Sequence, residues 1–97
     1  MQIVIVGAGK LGTKLAEALS LPAHNITMID SNPSALEKAD SGLDIMAIEG
    51  NAVDLNVLEQ AQVRRADIVI AVTSSDETNM LVALMAKELG CKRTIAR

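Results

Sequence analysis

No phenylalanine, tyrosine or tryptophan occurs anywhere in the 97 residues, so the core must be built from aliphatic side chains and methionine. The same absence removes the aromatic platforms on which single-stranded nucleic acids stack. It also rules out a catalytic Tyr-Lys pair. Cysteine is nearly absent: Cys91 stands alone, cannot form an internal disulfide, and fits a reducing compartment. With a single histidine, His24, to join it, no cluster of zinc-ligand type can be assembled. No apolar run approaches the roughly 20 residues of a membrane span. The N-terminus reads as a strand rather than a charged leader followed by an apolar segment. No basic tail is present either. The net charge is −3 with a pI near 5.0, which argues against nucleic acid as a partner. These features predict a soluble cytoplasmic domain. At this length a single domain with a modest core is expected.

What is present is organised around Gln2 to Gly12. Four consecutive β-formers, Ile3 to Val6, run into Gly7-Ala8-Gly9-Lys10-Leu11-Gly12, a G-x-G-x-x-G spacing followed by a helical pattern. A continuous apolar run suits a strand buried on both faces of a parallel sheet. In this context Gly7 lets the chain turn off the strand, Gly9 leaves room for a pyrophosphate, and Gly12 permits close helix packing. The amides at the start of the helix favour an anion. Alone, this spacing is shared with ordinary glycine turns. A second apolar run, Ile26 to Ile29, ends at Asp30, 18 residues after Gly12. The dinucleotide fingerprint places a ribose-binding acid about 20 residues on. A turn or cap role is the alternative for Asp30.

The remaining pattern predicts helices over 10–20, 33–41, 54–61 and 76–89, and strands over 2–6, 25–30, 44–49, 67–72 and 93–97. In the first helix Leu11, Leu15, Ala18 and Leu19 are expected to face inward; in the third, Leu55, Leu58 and Ala61. Asn32 and Pro33 open the second helix as N-cap and first residue, and Gly42 stops it. Ser74 and Glu77 are spaced as a capping box for the last helix, which Gly90 closes. Alternating strands and helices give an α/β fold of Rossmann type. It is a doubly wound parallel sheet of order 3-2-1-4-5 that lacks the sixth strand, with a ligand crevice where the order reverses. A single domain over 1–97, cut from a longer chain, is the expectation. The last helix carries Met80, Leu81, Val82, Leu84, Met85 and Leu89, more apolar girth than one core face needs. The surplus predicts a homo-oligomer, or cover by a sixth strand and its helix.

Four stretches together resemble the N-terminal nucleotide-binding domain of Trk-type potassium uptake regulators, the RCK, KTN or TrkA-N domain. They are Gly7 to Gly12, Asp30, Glu49-Gly50-Asn51-Ala52, and Ala71-Val72-Thr73-Ser74-Ser75-Asp76-Glu77-Thr78-Asn79. The closing Ile95-Ala96-Arg97 is similar to that family's fifth strand. The resemblance implies that the backbone of Gly7, Ala8, Gly9, Lys10, Leu11 and Gly12 holds phosphates and Asp30 the adenosine ribose. Asn51 and Ala52 would flank the adenine. Thr73, Ser74 and Arg97 would lie near the distal phosphate or second ribose. The family often has aspartate where this chain has Asn51, which puts any need for negative charge there in question. The implied ligand is NAD(H), or alternatively ATP or ADP. The implied partner is a membrane potassium transporter subunit, met at the inner face of the cell membrane.

Catalysis is not expected. His24 and Cys91 precede strands and so belong to the edge opposite the crevice, while hydride transfer needs an acid or base beside the nicotinamide. The alternative is the cofactor-binding half of an NAD-dependent dehydrogenase.

Overall fold

The computed structural model describes residues 1–97. It contains β1 (Gln2–Val6), α1 (Lys10–Leu19), β2 (Asn25–Asp30), α2 (Pro33–Asp40), β3 (Ile45–Glu49), α3 (Leu55–Gln60), a 3-10 turn (Val63–Arg65), β4 (Ile68–Ala71), α4 (Asp76–Leu89) and β5 (Thr94–Ala96). The five strands form one parallel sheet in the order β3-β2-β1-β4-β5, the expected Rossmann-like arrangement. No helix is long and apolar enough to cross a membrane.

The continuous apolar run of β1 is explained by its position at the centre of the sheet. Ile3 and Ile5 point to one face with Ala16 of α1 and Leu36 and Ala39 of α2. Val4 and Val6 point to the other with Leu58, Val63, Val82 and Ala86. Ile5 is fully buried, and burying such a side chain contributes about 1.5–3 kcal/mol.

The helix faces depart from expectation at three residues. In α1 the innermost side are Gly12 and Ala16, with Leu15 and Leu19 half-buried, whereas Leu11 and Ala18 are exposed. The cause is how close α1 comes to the loop before it. A Cβ built on Gly12 would stand 1.8 Å from the carbonyl oxygen of Gly7. Small residues four apart therefore face the sheet, and the larger leucines flank them. In α3 Leu58 is buried, as is Ala61 at its C-cap, but Leu55 is the first residue of the helix and is exposed; Val57 is half-buried against the core. The 3-10 turn was not expected. It follows Gln62, whose φ of 59° is left-handed and ends α3.

Asn32 caps α2 by accepting from the amides of Ser34 and Ala35, with Pro33 first in the helix. The cap of α4 is Ser75, not Ser74: its hydroxyl accepts from the amide of Thr78 at 3.2 Å. Ser74 lies one residue too early, so the expected pairing with Glu77 does not form. Gly90 closes α4 in the left-handed region.

Candidate functional site

Four of the five strands, β1, β3, β4 and β5, pass their hydrogen-bond ladder one residue into the chain that follows. Gly7 N donates to Ile29 O, Gly50 N to Asp30 O, Val72 N to Val6 O, and Arg97 N to Ala71 O, all at 2.8–3.0 Å. The starts of the loops are thereby fixed along one edge of the sheet, at the carboxyl ends of the strands. A cleft of about 460 Å³ opens there, lined by Gly7, Gly9, Asp30, Gly50, Asn51, Ala52, Thr73 and Ser74 among others, over a floor of Val6, Ile29 and Val72. Seven of the residues picked from the sequence thus meet in one cleft. Ala8, Gly9 and Lys10 border an adjoining groove between α1 and α2 that also carries Lys14 and Lys38. Leu11 is exposed on α1, and Gly12 is packed under the loop. Arg97 is at the same sheet edge but is not among the cleft-lining residues.

The three glycines of the loop separate by what surrounds them. Gly7 has φ +112°, and a Cβ there would touch the backbone of Val72 and Thr73 at 3.0 Å. Gly12 has no room for a Cβ at all. Gly9 has φ −74°, open to any residue, and a Cβ there would meet no atom within 4 Å. The fold thus requires glycine at 7 and 12 but not at 9. The missing Cβ at Gly9 leaves room for something approaching from the cleft.

The electrostatics point to an anion at α1 rather than α4. Helix amides without intrahelical acceptors carry partial positive charge. At α4 this is met by Asp76 and Glu77 in the first turn, whereas α1 has no acid in its first turn and no side-chain cap. The first α1 amide to be bonded is that of Thr13, to Gly9 O at 2.9 Å. Asp30 sits beside this loop. Its Oδ2 accepts from Ala8 N at 2.7 Å and its Oδ1 from Asn32 N at 2.8 Å. An ionised carboxylate has about four acceptor positions, so two remain to receive hydroxyls from the cleft. The same two bonds tie the glycine loop to the start of α2.

Asn51 Oδ1 accepts from Val53 N at 3.0 Å, a local turn bond that an aspartate would also make. Asparagine in place of aspartate therefore leaves this loop's shape intact, with the side-chain amino group free to donate. Across the cleft, Thr73 turns its hydroxyl away from the opening, donating to the buried Asn79 Oδ1 at 2.6 Å and accepting from Ser75 N at 3.2 Å. Ser74, by contrast, makes no hydrogen bond within the chain through its amide or hydroxyl. Sequence reasoning assigned no site role to Ser31, Thr78 or Asn79. Ser31 and Thr78 line the cleft, and Asn79 is buried behind it. Thr78 follows the cap residue by three, a spacing that would have placed it on the cleft side of α4 had Ser75 been chosen as cap.

His24 lies against the N-terminal amine, with Nδ1 at 3.2 Å, at the opposite edge of the sheet. Cys91 is buried ahead of β5, its thiol donating to Arg93 O at 3.0 Å. Neither reaches the cleft.

The TrkA-N domain family model matches residues 3–97. The chain belongs to this family. A protein named Trk system potassium uptake protein TrkA homolog, from Archaeoglobus fulgidus, is 46% identical over 97 residues, covering 100% of this chain and 22% of that protein. One of the same name from Methanothermobacter thermautotrophicus is 35% identical over 97 residues, covering 100% of this chain and 45% of that protein. This TrkA-N domain therefore spans less than half the length of these relatives. Among solved structures, the AMP-bound Kef CTD of Shewanella denitrificans superposes with a TM-score of 0.79 at 18% identity, over 98% of this chain and 57% of that one. The NAD complex of the enzyme WbmG from Bordetella bronchiseptica gives 0.77 at 25% identity, over 97% and 36%.

Proposed function

We propose that this TrkA-N domain is the nucleotide-sensing part of a potassium uptake regulator. It binds NAD(H), or alternatively ATP or ADP, in the cleft and passes that state to a membrane potassium transporter from the cytoplasmic side. The observation that carries this reading is Gly9, where the chain forgoes a Cβ that its own fold would accommodate, beside free α1 amides and the Asp30 carboxylate. Those amides would hold the diphosphate and Asp30 the adenosine ribose. Asn51 and Ala52 would border the adenine, with Ser74 toward the distal end. The chain is read as one domain of a longer regulator, in keeping with the share of its relatives that it spans.

Binding regulates a partner only when affinity differs between two conformations or assemblies. Met80, Leu81 and Leu84 are exposed along α4, and this face suits a second copy of the domain, through which such a difference would be transmitted. The test is calorimetric titration with NAD, NADH, ATP, ADP and NADP. Binding of an adenine nucleotide, with NADP the weaker of the dinucleotides because its extra phosphate meets Asp30, supports the reading. Binding of none refutes it.

The likeness to an NAD-bound enzyme favours a second reading, the cofactor half of a dehydrogenase. Against it, Asp30 is the sole ionisable side chain lining the cleft, and it is engaged by two backbone amides. Turnover of a hydride-transfer substrate by the chain would reverse the preference.

A further inference from the structure

Asn79 is the only polar side chain that is buried, at 0% exposure. It lies in the first turn of α4, and all of its side-chain bonds go to one residue. Its Oδ1 accepts from Thr73 N at 2.9 Å and from Thr73 Oγ1 at 2.6 Å, and its Nδ2 donates to Thr73 O at 3.1 Å. The helix does not need this for capping, since Ser75 already supplies the cap. A buried amide is retained at low cost only when its hydrogen bonds are complete, and here they are all spent on fixing one loop residue.

That residue forms a wall of the cleft. The backbone of Val72 and Thr73 packs against Gly7 so closely that a Cβ on Gly7 would be 3.0 Å away. Together with the ladder bond from Val72 N to Val6 O, the clamp fixes how the β4–α4 loop leaves the glycine loop. It also turns the donors of Thr73 away from the cleft and leaves Ser74 to face it. We infer that Asn79 is a positioning residue that fits the β4–α4 loop to the distal half of a bound dinucleotide.

The inference rests on the nucleotide reading of the cleft. Asp30, the glycine loop and Ser74 follow β2, β1 and β4, three neighbouring strands, each about 4.8 Å from the next. A mononucleotide with its ribose on Asp30 and its phosphate on α1 ends at the β1 loop. A dinucleotide continues to the β4 loop. Disturbing the clamp therefore acts on NAD and spares AMP.

The experiment is calorimetric titration of NAD and AMP into the wild type, Asn79→Asp and Thr73→Val. In Asn79→Asp the donor to Thr73 O is replaced by an oxygen facing an oxygen. The expected loss is about tenfold in NAD affinity, the scale of one such hydrogen bond, with AMP changed by less than about twofold. Thr73→Val keeps the side-chain shape and the Thr73 N bond, and shifts the ratio the same way by about threefold. If Asn79→Asp does not fold, Thr73→Val decides alone. Equal losses for both nucleotides, as a merely structural role would give, overturn the inference, as does an unchanged ratio. A wild type that binds AMP but not NAD also overturns it and leaves the cleft a nucleotide site; one that binds no nucleotide overturns both.

Discussion

A methyl group added at Gly12 and one added at Gly9 have opposite expected results, although the residues are three apart across the start of α1. At Gly12 the new carbon would lie 1.8 Å from the Gly7 carbonyl oxygen and 2.9 Å from its carbon. A relaxed carbon–oxygen contact is about 3.3–3.6 Å, and both partners here are backbone. To clear it, α1 must retreat by about 1.5 Å, lifting Ala16, Leu15 and Leu19 from the sheet. Overpacking of this kind costs about 3 kcal/mol or more when nothing can rotate aside. Alanine's better helix propensity returns about 1 kcal/mol. The net loss of about 2 kcal/mol corresponds to a fall in Tm of about 8–16 °C for a domain of this size. At Gly9 the methyl meets no atom within 4 Å and φ is −74°. The only cost is a poorer N-cap, about 0.5–1 kcal/mol. Its consequence falls on the ligand, with nucleotide affinity reduced at least about tenfold by Gly9→Ala and abolished by Gly9→Val. Thermal denaturation followed by circular dichroism, with calorimetric titration of NAD, reads both effects. A Gly12→Ala variant as stable as wild type, or a Gly9→Ala variant that unfolds while a rare folded fraction still binds normally, would refute the division of labour among the glycines.

Three further outcomes follow from single contacts. Asp30→Asn leaves one acceptor for two amides; the oxygen should turn to the buried Ala8 N–H and leave Asn32 N–H to water, so the stability loss is about 1 kcal/mol by chemical denaturation. Its NAD affinity should fall about tenfold or more, because a charged ribose acceptor is lost. Ser75→Ala should cost about 1 kcal/mol as the loss of an N-cap, whereas Ser74→Ala should stay within about 0.5 kcal/mol; equal effects would contradict the assignment of the cap. Asp67 Oδ2 accepts from Gln2 N at 2.8 Å, with Lys92 at 3.5 Å from Oδ1. The Gln2 amide first, and then Lys92, hold this carboxyl below the ordinary carboxylate range against the opposing effect of burial. A depressed folded-state value means that the stabilisation is present above the ordinary range and lost as pH falls through the folded value. The stability difference between wild type and Asp67→Asn should therefore shrink on acidification, and a difference that grows would contradict it.

The strand order, the two-sided burial of β1 and the meeting of Gly7, Gly9 and Asp30 in one cleft were legible in the sequence because each follows from strong local signals, whereas Asn51, Ala52, Thr73 and Ser74 were reached only through the family resemblance. Apolar runs, glycines and a carboxylate at the tip of β2 all report positions on one sheet edge. The phase of α1 was not legible from its large apolar residues. It is set by contact between Gly12 and a carbonyl, so small side chains face inward and Leu11 and Ala18 turn out. The assignment of Gly12 to close packing already held that information, since Ala16 lies one turn on. The choice between Ser74 and Ser75 as cap depends on the residue at which the β4–α4 loop turns into the helix, which two adjacent serines do not reveal by spacing alone. Leu55 illustrates a further limit: in a helix of six residues the first side chain need not share the face of the later ones.

A crystal structure of the chain grown with saturating NAD is the measurement that bears on the whole reading at once. It should place the diphosphate within hydrogen-bonding distance of the α1 amides, against Gly9, with an adenosine hydroxyl on Asp30. A well-ordered glycine loop with no nucleotide against it, or NAD bound at another surface, would contradict it.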